Sequence, residues 1–183
     1  MARSTDESKD HGASKDHGGL THIDERGRAR MVDVMAKPLT RRVAVAKCAV
    51  VTEVDVADGF EASPEGIDII EAARFAGILA AKGTASLIPL CHPIRIHAVR
   101  VEVEAQAWRF EISATTEIIE RTGVEMEALT ACAMAALTLV KALVDVDPTA
   151  HIEGLTVWHK SGGRSGNWER KGPGHEVRHL PSP

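Results

Sequence analysis

The chain has 183 residues, of which 44% are hydrophobic and 26% are charged, and its formal net charge is −4. This composition is typical of a globular protein of about one domain and excludes a wholly disordered chain. Aromatic residues make up only 3% and Tyr is absent. Base stacking on aromatic platforms and nucleic-acid binding driven by overall charge are therefore disfavoured, and we expect a core of Val, Ile, Leu and Ala.

Both ends of the chain are polar and hold few large apolar side chains. Residues 1–19 contain the pentapeptide SKDHG twice, and residues 169–183 are rich in Pro, Gly and charge. Such segments cannot offset the entropy lost on ordering. We predict a disordered polar tail over residues 1–19, a folded domain over residues 20–168 and a loose C-terminal tail.

Within the domain, β-branched clusters predict strands, and apolar residues three and four apart predict helices. In chain order we predict a strand at Val43–Val54, a helix from the start signal Ser63-Pro64-Glu65 to about Lys82, strands at Ile94–Val103 and Trp108–Thr115, a helix from about Val124 to Val144, and a strand at Ile152–Trp158. This order is typical of a ferredoxin-like α+β fold, an antiparallel sheet with helices packed on one face. A doubly wound α/β fold is the alternative, but the central hairpin and the lack of a Gly-rich strand-to-helix turn disfavour it.

The cysteines and apolar segments indicate a cytoplasmic protein. Cys48, Cys91 and Cys132 are odd in number and lack a Cys-x-x-Cys spacing, which favours a reducing compartment over a disulfide framework or a zinc site. The first residues contain no apolar segment typical of a secretory signal. The longest nearly apolar run, Ala131–Val140, is too short to span a bilayer, so we expect no membrane contact.

Three stretches carry residues suited to chemistry. The first is LIPLCHP at Leu87–Pro93, where two prolines make the loop rigid and fix the direction of His92. His92 is a candidate catalytic acid or base near neutral pH, or a donor to phosphate, although a structural histidine is the alternative. Cys91 lacks a placed base, so we do not expect a nucleophile.

The second stretch, RTGVEMEALTA at Arg121–Ala131, precedes and begins the second helix. The N–H groups and dipole of a helix start favour an anion, and the arginine adds a planar fork for phosphate. Glu125 and Glu127 are two residues apart, so on a regular helix they point about 200° apart and cannot share one site. Ordinary helix-end electrostatics is the alternative interpretation of both acids.

The third stretch, KSGGRSG at Lys160–Gly166, sets two cations among serines and glycines after a strand. Such a loop can bring N–H groups and cations close to phosphate oxygens. It lacks the P-loop pattern, and a flexible linker is the alternative. The chain contains no metal-ligand spacing such as HExxH or CxxC, so we expect no metal site.

Together with LTHIDERGRARMVDV at Leu20–Val34, KPLTRR at Lys37–Arg42 and AARFAGILAAKGT at Ala72–Thr84, these stretches resemble the cyclic pyranopterin monophosphate synthase (MoaC) family of molybdenum cofactor biosynthesis. The resemblance implies conversion of 3′,8-cyclo-7,8-dihydroguanosine triphosphate into cyclic pyranopterin monophosphate and pyrophosphate, with no cofactor. It also implies a homohexamer, a trimer of dimers with active sites between subunits. Ring opening and reclosure would need proton transfer, and the triphosphate would need cations and backbone donors.

The resemblance also assigns site residues, by matching position. Those that would line the pocket for a pterin or nucleotide triphosphate are Leu90, Cys91, His92, Met126 and Glu127. Further contacts would come from Arg42, Arg121, Glu125 and Lys160.

The chain departs from the family at three catalytic positions. The family motif ALTIYDMCKAVD carries a catalytic aspartate and, three residues later, a lysine, whereas this chain has Lys141 and Val144 there. A family lysine in a KGD stretch is replaced by Gly66, and a further basic position is Gly83. Loss of a general acid or base typically costs ~10²–10⁴ in rate.

Three interpretations therefore stay open. The chain is a divergent synthase, a catalytically degenerate paralogue that binds a pterin or nucleotide triphosphate or co-assembles with an active relative, or an enzyme acting on another nucleotide. For the first, we hypothesise that Lys141 and Asp145, four residues apart on one helix face, form a charge pair that replaces the missing groups. An ordinary surface ion pair is the alternative.

Overall fold

The computed structural model describes residues 22–24, 26–57 and 68–171. The described residues fall into two compact units, divided between Val32 and Asp33. The predicted tail over residues 1–19 and residues 172–183 lie outside the described residues.

The first unit contains a tight turn built around one carboxylate. A β-bridge joins Ile23 to Ala29, and the Asp24 carboxylate accepts hydrogen bonds from the backbone N–H groups of Arg26 and Arg28, each at 2.9 Å. The Arg28 guanidinium also pairs with Asp24 at 2.8 Å. These bonds lower the pKa of Asp24.

The second unit is an antiparallel sheet with two helices. Its elements are β1 (Thr40–Val51), α1 (Ile69–Leu87), β2 (Ala98–Gln106), β3 (Arg109–Glu120), α2 (Glu125–Leu143), β4 (His151–Ser161) and β5 (Trp168–Glu169). The strands pair in the order β2-β3-β1-β4-β5. Helix α2 packs against β1, β3, β4 and α1, while α1 packs against β2. The ferredoxin-like α+β fold is thereby confirmed.

The core between helices and sheet is mainly aliphatic, as predicted. On β3, alternate residues from Phe110 to Ile118 are buried, which turns one face of the strand towards the helices. Two cysteines lie in this core: the Cys132 thiol donates to the Ala46 carbonyl at 3.3 Å, and the Cys48 thiol donates to the Cys132 carbonyl at 3.7 Å. The hydrogen bond with Cys48 is the larger cause, and burial the smaller, of a raised pKa for the Cys132 thiol.

Helix α2 is longer than its apolar run suggested. Its 19 residues are enough, by length and composition alone, to cross a membrane, although the nearly apolar run Ala131–Val140 within it is shorter. Its buried side chains face the sheet and α1, so its packing is that of a core helix.

The first strand ends earlier than predicted, and a distant side chain binds the residues that follow it. We predicted a strand to Val54, but β1 ends at Val51. Beyond it, the Thr52 N–H still donates to the Trp108 carbonyl at 3.0 Å, but the Thr52 hydroxyl and the Glu53 N–H donate to the Asp147 carboxylate, at 2.6 and 2.8 Å.

The central hairpin also begins later than predicted. Ile94 and Ile96 pack against the core, which produces a strand-like alternation, but the strand itself starts at Ala98. Trp108 lies in the hairpin turn, and β3 starts one residue later.

The two helices and β4 follow the predicted order. The start signal at 63–65 lies outside the described residues. Helix α1 begins at Ile69, where the Asp68 carboxylate accepts from the N–H groups of Ile70 and Glu71 at 2.9 and 3.2 Å, and it extends beyond Lys82. The short strand β5 was not predicted, because two residues carry no periodic signal.

Candidate functional site

The proline-flanked loop after α1 has a constrained backbone. Leu90 adopts φ +67°, the left-handed region that residues with a Cβ rarely occupy. The Cys91 N–H donates to the Ile88 carbonyl at 3.3 Å, which closes the turn. Leu90, Cys91 and His92 are all half-buried. This geometry holds the three predicted loop residues in one fixed arrangement.

The start of α2 carries a buried carboxylate. Glu127 is 5% exposed, and burial raises its pKa to about 6, with a smaller contribution from the Glu125 charge. Burial also raises the pKa of the Cys91 thiol, and the Glu127 charge adds to this rise. The Glu127 charge is therefore felt at the loop that carries Cys91. Met126, between the two acids, is 38% exposed.

Glu125 points elsewhere, as its spacing from Glu127 predicts. Its carboxylate pairs with the Lys160 ammonium at 3.2 Å. These two residues line an open pocket together with Arg42, Val43, Gly123, Val124, Ser161, Gly162 and Ser165.

The glycine loop at the end of β4 wraps around Arg42. The Arg42 guanidinium donates to the carbonyls of Glu120 and Arg121, at 3.1 and 3.2 Å. Gly163 has φ +71°, and a Cβ there would overlap the Arg42 guanidinium. The left-handed backbone favours glycine at this position, and a Cβ there would displace the Arg42 guanidinium. The pocket thus combines two cations, one anion and a glycine-rich backbone.

Arg121 contacts the segment that leads into β1. Its Nη1 donates to the carbonyls of Met35 and Lys37, the latter at 2.7 Å. Arg121 is not among the residues that line the pocket. The guanidinium instead anchors the segment that leads into β1.

The predicted pair between Lys141 and Asp145 is wrong. Helix α2 ends at Leu143, so Asp145 lies beyond the helix and no longer shares a face with Lys141. Within the part of the chain that the structure describes, these two residues form no ion pair. Both are exposed, and Val144 is 51% exposed. Position 66 lies outside the described residues.

Sequence reasoning missed a buried carboxylate just beyond α2. Asp147 is 4% exposed, and its carboxylate accepts hydrogen bonds from the hydroxyl and N–H of Thr149, the Thr52 hydroxyl and the Glu53 N–H. These bonds, first among them the one from the Thr149 hydroxyl, hold the pKa of Asp147 well below its usual range. The Asp-Pro-Thr sequence signals a turn, but the partners Thr52 and Glu53, just beyond β1, are distant in sequence.

Among residues 22–24, 26–57 and 68–171, no group of three or more His, Cys, Asp or Glu side chains is arranged to hold a metal ion.

The candidate site consists of the 90–92 loop, the start of α2 and the pocket around Arg42 and Lys160. The Glu125 charge acts on Glu127 and pairs with Lys160, and so connects the two halves.

Comparison with known proteins places this site in a family. The family model described as "MoaC family" matches residues 31–163. The chain belongs to the MoaC family. The matched range contains every candidate site residue from Arg42 to Lys160.

Three relatives show how far the similarity extends. A cyclic pyranopterin monophosphate synthase of Thermomicrobium roseum is 49% identical over 167 residues, covering 88% of this chain and 98% of the relative. Cyclic pyranopterin monophosphate synthase 1 of Mycobacterium tuberculosis is 50% identical over 161 residues, 85% of this chain and 93% of the relative. Cyclic pyranopterin monophosphate synthase 2 of the same organism is 47% identical over 156 residues, which cover 84% of this chain and 93% of the relative.

Proposed function

We propose that this protein is a cyclic pyranopterin monophosphate synthase of molybdenum cofactor biosynthesis. The reaction converts 3′,8-cyclo-7,8-dihydroguanosine triphosphate into cyclic pyranopterin monophosphate and pyrophosphate. One observation carries the proposal: this member of the MoaC family has a buried acid, Glu127, and a pocket with the cations Arg42 and Lys160, both at the start of α2. The synthase names of the relatives support the enzyme over a degenerate paralogue.

The cationic pocket suits the triphosphate end of the substrate. Formation of the cyclic phosphate joins a substrate oxygen to the α-phosphorus and breaks its bond to the β-phosphate, so pyrophosphate leaves. Negative charge on the transferring phosphate is stabilised by cations and backbone donors. Lys160 can exchange Glu125 for phosphate, while the Arg42 side chain is already fixed by hydrogen bonds to two carbonyls.

Proton transfer is assigned to groups other than the family's aspartate and lysine, because Lys141 and Val144 stand at those positions. Glu127, with a pKa of about 6, is present in both protonation states near neutral pH, as a general acid or base requires. His92 on the adjoining loop is the second candidate catalytic group. Leu90, Cys91 and Met126 would then supply shape around the ring system.

The same proposal covers assembly and location. We expect a cytoplasmic homohexamer, a trimer of dimers, as in the resemblance. Phe75 and Leu79 lie one turn apart on α1 and are 64% and 51% exposed, and apolar surface of this kind suits burial between subunits. Light scattering after gel filtration should give the mass of six chains, and a monomer at working concentration would contradict this.

The decisive experiment is turnover by the purified full chain. We would supply 3′,8-cyclo-7,8-dihydroguanosine triphosphate and measure pyrophosphate and the pterin product, together with binding by calorimetry. The Lys160→Gln variant should bind more weakly, whereas Lys82→Gln, an exposed lysine on α1, should not. Saturable binding without product would overturn the enzyme assignment in favour of the degenerate paralogue. Absence of binding, or turnover of a different nucleotide, would overturn the substrate assignment.

A further inference from the structure

One polar residue interrupts the apolar face of β3. The buried residues of that face are otherwise Phe110, Ile112, Ala114 and Ile118. Thr116 is 0% exposed, and its hydroxyl donates to the Val124 carbonyl at 3.1 Å. A buried hydroxyl costs free energy unless it is hydrogen-bonded, and Val has nearly the same shape. The hydroxyl therefore needs a reason beyond filling space.

The partner of this hydroxyl is the residue from which α2 starts. Val124 is the N-cap of α2 and is 1% exposed, and no side chain caps that helix end. Its carbonyl also accepts the Ala128 N–H, at a rather long 3.3 Å. Thr116 therefore ties the first turn of α2 to the middle of the sheet. This bond takes the place of the side-chain cap that the helix start lacks.

The candidate site begins directly after this tether. Glu125, Met126 and Glu127 are the first three residues of α2, and their positions depend on where the helix starts. We propose that Thr116 is a positioning residue, whose hydroxyl fixes the start of α2 and so sets the position of the buried Glu127 and holds Glu125 against Lys160. The inference rests on the proposed function of that site.

Two matched pairs of variants separate the hydroxyl from the packing. Thr116→Val keeps the volume and removes the donor, whereas Thr116→Ser keeps the donor and loses a methyl group. We expect Thr116→Val to lower kcat about 10-fold with little change in KM. The reason is that a displacement of catalytic groups by about 1 Å costs up to ~10²-fold in rate. Thr116→Ser should keep kcat within about 3-fold. If Thr116→Val fails to fold, Thr116→Ala against Thr116→Ser makes the same comparison, since both lack the methyl group.

A second measurement does not depend on turnover. Carbon NMR of glutamate-labelled protein, with the Glu127 signal assigned by Glu127→Gln, follows the titration of this carboxyl beside Glu125 and Cys91. We expect a midpoint of about 6 in the wild type and in Thr116→Ser. In Thr116→Val we expect a lower midpoint, because a looser helix start admits water.

The outcomes are distinct. Equal kcat and equal Glu127 titration in Thr116→Val and the wild type would overturn the positioning role. Equal losses in Thr116→Ser and Thr116→Val would overturn it too, because packing would then explain both. If the wild type makes no product, the proposed function fails, but the NMR titration still decides the role of Thr116.

Discussion

The start of α2 and the turn beyond its end each bury a carboxylate, and the two behave in opposite ways. Glu127 is 5% exposed and its pKa is raised to about 6, while Asp147 is 4% exposed and its pKa is lowered. The difference lies in the hydrogen-bond donors around them. Asp147 accepts from two hydroxyls and two backbone N–H groups. Burial alone raises the pKa of an acid, but enough donors reverse that effect.

This contrast separates a reactive region from a structural one. The start of α2 has no side-chain cap and carries the ion pair of Glu125 with Lys160. The charge of its Glu127 acts on Cys91, the neighbour of the left-handed Leu90. Beyond its end, Asp147 joins the α2–β4 connection to β1, and its donors leave little for a ligand to satisfy. Strained backbone and perturbed acids cluster at functional sites, which favours the first region.

The largest effect should follow removal of the reactive acid. Glu127→Gln keeps the shape and removes the ionisable group, so we expect kcat to fall by ~10²–10⁴, as for loss of a general acid or base. Glu104→Gln, at an exposed position on β2, is the matched control and should keep kcat within about 2-fold. A Glu127→Gln variant with wild-type kcat would show that Glu127 transfers no proton.

The same variant has a pH signature in stability. Because the folded pKa of Glu127 is raised from 4.5 to about 6, its stabilising contribution is complete below pH 4.5 and is lost as the pH rises through 6. Glu127→Gln escapes this loss, so relative to the wild type it should gain about 2 kcal/mol between pH 4.5 and 7. Urea unfolding at the two pH values measures the change.

The glycine loop tests whether the cationic pocket binds substrate. In Gly163→Ala the new Cβ meets the Arg42 guanidinium, so we expect KM to rise about 10-fold with a smaller change in kcat. Gly166→Ala is the control, because Gly166 has a similar φ of +64° but open space around it. Both variants carry the cost of a left-handed alanine, and only the first should weaken binding.

Asp147 should matter for stability rather than for turnover. Asp147→Asn places an amide where four donors converge, so we expect Tm at pH 7 to fall by roughly 5 °C or more, with kcat unchanged at 25 °C. Asp145→Asn, exposed two residues away, should leave Tm within about 1 °C. The folded pKa of Asp147 lies below its unfolded value of 3.8. Its contribution is therefore present above pH 3.8, and the difference between Asp147→Asn and the wild type should shrink as the pH falls below that value.

The smallest effect is expected at the position of the family's aspartate. Lys141 is exposed and does not pair with Asp145, so Lys141→Ala should change Tm by less than about 2 °C and kcat by less than about 2-fold. The double variant with Asp145→Ala should give the sum of the single effects. A coupling between them, or a large loss of activity, would restore Lys141 as a catalytic candidate.

The fold was predictable because its signals are local. Alternation along β3 and the spacing of apolar residues along α2 indicate element type and order without knowledge of neighbours. Boundaries were less predictable where distant residues decide them. The end of β1 depends on Asp147, 95 positions from its partner Thr52.

The candidate site divides in the same way. The loops at 87–93 and 160–166 are recognisable from their Pro, Gly and cation content. The burial of Glu127, by contrast, depends on how α2 docks, and the role of Arg42 depends on a glycine 121 residues later, at position 163. The sequence predicts which side chains are available. Packing decides that the pKa of Glu127 is raised and that of Asp147 is lowered.

The three free cysteines give the molecule two classes of thiol. Cys91 lies half-buried on the loop, and its raised pKa makes it slow to react in the native state. Cys48 and Cys132 are 1% and 0% exposed between β1 and α2, so a thiol reagent reaches them only when that layer opens. The rate at which the second and third thiols react with such a reagent would therefore measure how often α2 separates from the sheet.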